Sequence, residues 1–357
     1  MNAFVQSDTL TVALADLNDP ARVAEIDIFV LRHEASTPFH RPAWLYAVAQ
    51  GTGQRAHYLV ARDLAGTVAG ALPLIEIRSR LFGRIMVSSG FAVGGGILAH
   101  SRKAVSELAA AGWALAIEKG CPSLELRGGP VSGADWTEKT GTYVGFTRDL
   151  AKHDEAELLA IPRKQRAEVR KALTQKFDIS IGSAEADRAA HFRVYSESVR
   201  NLGTPVFPRS LFDAVLDAFG SDADILTVCK EGRPVASVLN LYHRGAVLPY
   251  WGGGTQEARG LRANDMMYFA LMSHARSRGC TRFDFGRSKV GTGAAAFKKN
   301  WGFEPEPLSY AVRTADGQPP RDINPLSPRY RLQVALWKKL PLTIANAVGP
   351  SIARGLG

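Results

Sequence analysis

Cysteine is scarce in this 357-residue chain: only Cys121, Cys229 and Cys280 occur. Three thiols so far apart make neither a disulfide framework nor a zinc site, and they fit a reducing cytoplasm. Cys121 and Cys280 each follow a helix-ending glycine at the start of an expected strand, where buried thiols simply pack. The eight histidines show no metal-ligand spacing, so no metal site is expected. His243, in NLYHRG, reads as a strand-end surface residue rather than a base. No Ser-His-Asp arrangement or Walker-type phosphate loop is present, which leaves hydrolase and nucleotide-triphosphatase readings little weight. No uncharged apolar run reaches membrane-spanning length. The opening residues, MNAFVQSDTL, lack the basic and apolar regions of a signal peptide. Acidic residues are missing from Ile323 to the C-terminus.

What is present describes an ordinary globular protein, 46% hydrophobic and 22% charged, long enough for two domains. The net charge of +10 favours an anionic partner: nucleic acid, a phosphorylated substrate or an acidic membrane surface. General solubility is the plainer explanation.

A long-period echo organises the chain. Residues 119–128, KGCPSLELRG, recur as RGCTRFDFGR at 278–287, and the Gly94–Gly96 run recurs as Gly252–Gly254. Each copy reads as hairpin strands, a glycine run, an amphipathic helix and a short strand with one carboxylate, Glu125 or Asp284. The expectation is an α+β fold of two tandem lobes, each a mixed, mostly antiparallel sheet flanked by helices. The lobes are drawn at residues 1–152 and 153–322, with a basic amphipathic tail at 323–357. A site is expected in or beside the cleft where the lobes meet.

Chemistry concentrates in FDFGRSKVGTGAAAFKKNWGFEP, residues 283–305. A strand delivers Asp284, three glycines allow a close-approaching loop, and Phe297 and Lys298 follow. Lysine there can stabilise a phosphate or a developing oxyanion; alternatively the aromatics are core anchors and the lysines are solvated. Asp284 either orients an amine or bonds to its own loop backbone. Asn240 and Arg287 are weaker candidates for substrate contacts. Arg209 either holds an anionic acceptor or packs its stem on Phe207 and Phe212. Arg163, Lys164, Arg166 and Arg170 crowd one helix, suited to an RNA or pyrophosphate contact or to a solvated charged face. The tail sets Arg329, Arg331, Lys338, Lys339 and Arg354 beside Leu332, Leu336, Trp337 and Leu340. That combination suits either an interfacial helix on an anionic membrane or a helix packed on the protein.

The strings YWGGG, FDFGRS and FKKNWGFEP, with IPRKQRAEVRKALTQKFDISIG, resemble the FemAB family of peptidyltransferases, built from two tandem GNAT-like domains. NLGTPVFPRSLF and LWKKLPLTIANAVGP are similar to a branch associated with PEP-CTERM/exosortase and exopolysaccharide gene clusters. The resemblance implies an acyltransferase that passes an aminoacyl or acyl group to an amine during exopolysaccharide or cell-envelope assembly. It places Phe297 and Lys298 at the acyl-transfer site, with Lys298 on the oxyanion or leaving-group phosphate. Tyr250, or its neighbour Trp251, lines that site. No tightly bound cofactor is implied; the donor is aminoacyl-tRNA or acyl-CoA, and the acceptor an anionic or amine-bearing envelope precursor. The location expected is cytoplasmic, with possible peripheral contact at the inner membrane face.

Three departures bear on the substrates, the first being that the long helical arm some members of the family insert for tRNA contact has no room here. The first-domain substrate residues of the cell-wall enzymes have no recognisable counterpart, which counts against a muropeptide acceptor. EARGLRAND, at 257–265, matches the pyrophosphate loop of acyl-CoA enzymes poorly, having one glycine, although helix N-terminal amides there keep acyl-CoA open. An acyl-CoA-dependent enzyme acting on a soluble amine and a non-catalytic binding subunit are the alternatives.

Overall fold

The computed structural model describes residues 10–131, 133–317 and 328–357. They form two compact units. The first holds residues up to Lys139 with the segment from Ser309 and Gly357; the second holds Thr140–Leu308 with the C-terminal segment up to Leu356. The chain therefore leaves the first unit near 140 and returns to it for one strand, where the sequence suggested lobes in simple succession.

The first unit runs β1 (Thr11–Leu14), α1 (Pro20–Arg32), α2 (Pro42–Thr52), β2 (Arg55–Arg62), β3 (Val68–Ser79), β4 (Gly83–Ser88), β5 (Leu98–Ala99), α3 (Arg102–Glu118) and β6 (Ser123–Arg127). Asp19 caps α1, its carboxylate accepting from Ala21 N at 2.9 Å, and Pro20 supplies a first-turn φ. Ser101 caps α3 in the same way. Strands β1 to β4 pair antiparallel in order. Helix α3 then crosses over, and β6 lies parallel to β4, Met86 opposite Leu124 and Val87 opposite Glu125. The strand Glu306–Thr314 covers the far side of β6. Leu108, Leu115 and Ala116 of α3 join Leu72, Leu74 and Leu124 in the core. A Cβ at Gly112 would stand 3.1 Å from Leu72, so the helix lies close on the sheet.

The second unit contains β7 (Thr137–Gly145, from Thr140), β8 (Thr147–Asp149), α4 (Asp154–Ala160), α5 (Arg163–Leu173), β9 (Asp178–Gly182), α6 (Glu185–Leu202) and α7 (Arg209–Phe219). The repeated crossover follows: β10 (Ala223–Lys230), β11 (Arg233–His243), β12 (Ala246–Gly254), α8 (Ala258–Leu261), α9 (Ala263–Ser277) and β13 (Arg282–Asp284). Then come β14 (Ser288–Lys289), α10 (Gly293–Asn300), β15 (the strand Glu306–Thr314 already placed), α11 (Pro328–Trp337) and α12 (Leu342–Ala353). The sheet order is β8-β13-β12-β11-β10-β9. Antiparallel β10, β11 and β12, a crossover helix and a parallel β13 repeat the topology of β2, β3, β4, α3 and β6. The echo in sequence is thus an echo in structure.

Phe283, Phe285, Trp301 and Phe303 anchor the second core, which takes in Val238, Val247, Met267 and Met272. His243 belongs to this interior: it is buried, which corrects the expectation of a surface residue, because β11 is a central strand covered on both faces. The tail reading begins in residues 323–327, which lie outside the described residues, as do the side chains of Arg329 and Arg331. From 328 onward the tail forms α11 and α12, and α12 packs its Ala345, Gly349 and Ala353 face inward.

Candidate functional site

Strands β12 and β13 pair at only two positions, Ala246 with Arg282 and Val247 with Phe283. Beyond Val247 strand β12 continues to Gly254 bonded to β11 alone. Between Leu239 and Asn240 the register slips, so Tyr250 is an extra residue on β12, a β-bulge. Bulges bend a strand and re-aim its side chains, and they occur beside active sites. Downstream of this bulge the Gly252–Gly254 run borders a cleft of about 640 Å³.

The glycines are required by close neighbours. A Cβ at Gly253 would overlap Ser198 of α6, and one at Gly254 would lie 2.6 Å from Asn264 Oδ1. The floor is aromatic. Tyr268, from α9, meets Phe285 edge-on at 4.7 Å and Phe297 at 5.7 Å between ring centroids. Both Tyr268 and Phe297 line the cleft. Burial pushes the Tyr268 phenol up to about 12, so it enters any reaction as a neutral O–H.

The rim is cationic. Arg200, Arg259 and Lys338 line the cleft, and among the described residues no Asp, Glu or His joins the lining. Thr255 Oγ1 and Asn264 Oδ1, also on the lining, are buried without a hydrogen-bond partner among the described residues. Buried polar atoms are normally paired, so a polar ligand is the simplest partner for these.

Phe297 lines the cleft, while Lys298 turns the other way along α10. Its ammonium donates to the carbonyls of Gly286 at 3.1 Å and Arg287 at 2.9 Å. Burial lowers its pKa to about 8, against the opposing field of Asp284. Asp284 accepts from Gly286 N at 2.8 Å, and burial raises its pKa. The pair holds the loop after β13 from both sides, and neither residue lines the cleft.

The remaining candidates are dispersed. Trp251 is buried edge-on against Phe212 at 4.8 Å, and Tyr250 packs on Trp251. Asn240 donates to Asp224 at 2.9 Å, within a buried network that also takes Tyr242 and His274. Arg287 lies over the Tyr143 ring at 4.4 Å. Arg209 pairs with Glu185 and Asp213 at the surface. On α5, Arg166 binds the carbonyls of Ile161 and Leu159, closing the preceding turn. Arg163, Lys164 and Arg170 are exposed. Sequence reasoning missed Tyr268, Asn264, Arg259 and Lys338 as members of one site. The three glycines before Thr255 were its only local signal.

The segment 257–265 is no open amide loop. It folds into α8 and the start of α9, and Gln256 N donates to the Glu197 carboxylate at 2.9 Å. Arg262 is held by Glu168 at 2.7 Å.

Residues 163–299 match the family model described as an acetyltransferase (GNAT) domain. No curated protein matches the sequence. Among solved structures, FemX aligns at 15% identity and TM-score 0.64, over 84% of this chain and 96% of that one. A tandem GNAT protein from the clavulanic acid biosynthesis pathway aligns at 14% identity and TM-score 0.55, over 87% of this chain and all (100%) of that one. The C-terminal domain of a putative lysylphosphatidylglycerol synthetase from Agrobacterium fabrum aligns at 15% identity and TM-score 0.54, over 81% and 90%. The fold is a FemAB-like tandem GNAT fold, and the match to the acetyltransferase (GNAT) domain model lies within its second unit.

Proposed function

We propose that this tandem-GNAT acyltransferase moves an aminoacyl or acyl group from a phosphate-bearing donor to an amine, within exopolysaccharide or cell-envelope assembly. One observation carries the reading: the cleft beside the bulged β12 of the GNAT domain joins an aromatic floor to three cations, with no carboxylate among the described lining residues. The cations hold phosphate, and the floor takes the apolar part of the acyl group.

Aminolysis needs an attacking amine, a stabilised tetrahedral oxyanion and a departing oxygen or sulfur. The neutral Tyr268 hydroxyl, on the lining beside Gly252, donates to the developing negative charge. With no carboxylate or imidazole among the described lining residues, the amine's proton passes to the leaving group as it departs. Lys298 and Asp284 act through the loop they hold, and position it against Phe297.

Between the two donors, the closed 257–265 segment and the Glu197 carboxylate on Gln256 N favour aminoacyl-tRNA over acyl-CoA. Exposed Arg163, Lys164 and Arg170 on α5 suit the RNA backbone. The tail supports a peripheral location at an anionic membrane: Leu332 and Leu336, then Ile344 and Val348, stand exposed at helical spacing beside Lys338 and Lys339. No helix among the described residues is long and apolar enough to cross a membrane. Residues 201–212 and the tail support the PEP-CTERM/exosortase branch by resemblance.

The test is single-turnover transfer of a labelled acyl group from aminoacyl-tRNA or acetyl-CoA to an amino-sugar acceptor. Transfer from aminoacyl-tRNA, reduced at least tenfold by R259A, is expected. Transfer from acetyl-CoA alone would move the protein to the acyl-CoA class, and transfer from neither would leave a binding subunit.

A further inference from the structure

We infer that the C-terminal segment is part of the cleft, and that Lys338 completes with Arg259 and Arg200 a site for a substrate phosphate group. The inference rests on reading this cleft as the place where the phosphate-bearing substrate binds.

The tail is fixed to α6 at several points. Helix α6 ends at Gly203 in the left-handed conformation, φ 84°, and a Cβ there would collide with Val334 and stand 3.1 Å from Lys338 Cε. Only glycine accepts both the backbone angle and the approach of α11. Arg200 extends from α6 and donates to the carbonyls of Lys338 and Leu340, at 3.4 Å each. Further on, Asn346 donates to Ser196 at 3.3 Å, and Gly349 passes close to Val206, where a Cβ would lie 3.1 Å from its nitrogen. Lys338 is thereby brought to the cleft across more than seventy residues of chain from Arg259.

The electrostatics then demand an anion. Three cations share the lining with no acidic residue among the described residues there, and the sequence has none between Ile323 and the C-terminus. The neighbouring Glu197 carboxylate is already bonded to Gln256 N. Like charges gathered in one concave site repel until an anion neutralises them, and low-dielectric walls sharpen the effect. The buried Thr255 hydroxyl, without a partner among the described residues, adds a neutral donor on the same wall. The ligand chemistry is thus a phosphate oxygen cluster. It can come from the phosphodiesters of an RNA 3′ end or from the pyrophosphate of a nucleotide- or lipid-linked precursor.

The experiment is calorimetric titration of the full chain with two probes, inorganic pyrophosphate and a CCA trinucleotide. The variants are K338E, R259E and K339E, the last changing charge equally at an exposed neighbour outside the lining. The expected result is saturable binding of at least one probe, weakened tenfold or more by K338E and R259E and less than twofold by K339E. Stronger trinucleotide binding assigns the phosphate to the RNA source, and stronger pyrophosphate binding to the precursor. Equal weakening by K338E and K339E, no effect of K338E, or no binding of either probe would overturn the inference. Because turnover is not read, Lys338-dependent binding without acyl transfer would sink the transfer reading and leave this one standing.

Discussion

Gly94–Gly96 in the first unit and Gly252–Gly254 in the second occupy the same place in the same crossover, yet their surroundings differ. A Cβ at Gly96 would fall on the carbonyl oxygen of Gly128, and one at Gly129 would lie 2.8 Å from the Ile97 carbonyl. The first run is packed against its own chain. Arg127 reinforces the closure, donating to the carbonyl of Ala92 at 2.8 Å and pairing with Glu125 at 2.9 Å. Gly357 lies against Phe91 there and accepts from Arg127 at 3.3 Å. In the second unit the run faces a cleft, and Asp284 holds a loop in place of an arginine. The repeat thus conserves topology while one copy is filled by backbone and the other is left open, which is why function is argued from the site and not from the fold.

Substitution at the glycines breaks the comparison most severely. G96A sets a methyl against backbone that cannot turn away, so a loss of roughly 3 kcal/mol or failure to fold is expected in denaturant titrations. Next comes acid. His191, on the buried face of α6, has no carboxylate partner among the described residues, and its pKa is pushed down to about 3. For His57 of the first unit, also pushed down by burial, Glu76 at 3.8 Å opposes the shift. A folded pKa below the unfolded one makes His191 favour the fold above pH 6.5, and that contribution disappears as pH falls toward 3. Roughly 3 kcal/mol should be gone by pH 4. Hydrogen exchange should show the second unit opening first, and H191N should flatten the slope; simultaneous opening of both units would contradict this.

Smaller effects sharpen the contrast between the two carboxylates. D284N should lower the transfer rate about tenfold to a hundredfold, by loosening the loop beside Phe297, with KM for the donor nearly unchanged. E125Q should leave the rate alone and cost about 1 kcal/mol of stability, because Arg127 loses a charged partner. A rate loss in E125Q matching that of D284N would make the first unit catalytic. The mildest effect concerns Lys298, whose ammonium gives up its proton near pH 8. Activity should fall on the alkaline side with an apparent pKa near that value, and K298R should move the limb upward.

The tandem fold was legible because its repeat is written in glycines, a cysteine and a single carboxylate per copy, and because Asp19 and Gly120 mark helix ends. The strand that returns to the first unit was not, since nothing local in Glu306–Thr314 names β6 as its partner. Of the cleft lining, Phe297 and the glycine run stand in the strings that carry the resemblance. Lys298 was readable as a residue but not in its orientation, because one step along α10 turns a side chain by about 100°. Tyr268 sits in a helix as an apparent core aromatic. Lys338 comes from a basic tail whose docking depends on Gly203 and Arg200, and long-range packing of that kind leaves no spacing to read.

The most direct test is the stoichiometry with which a non-hydrolysable aminoacyl-tRNA analogue binds the full chain, in wild type and R259E. One site per chain, lost in R259E, is expected if the second unit alone keeps an open cleft. Two sites per chain, or one that R259E leaves unchanged, would contradict it.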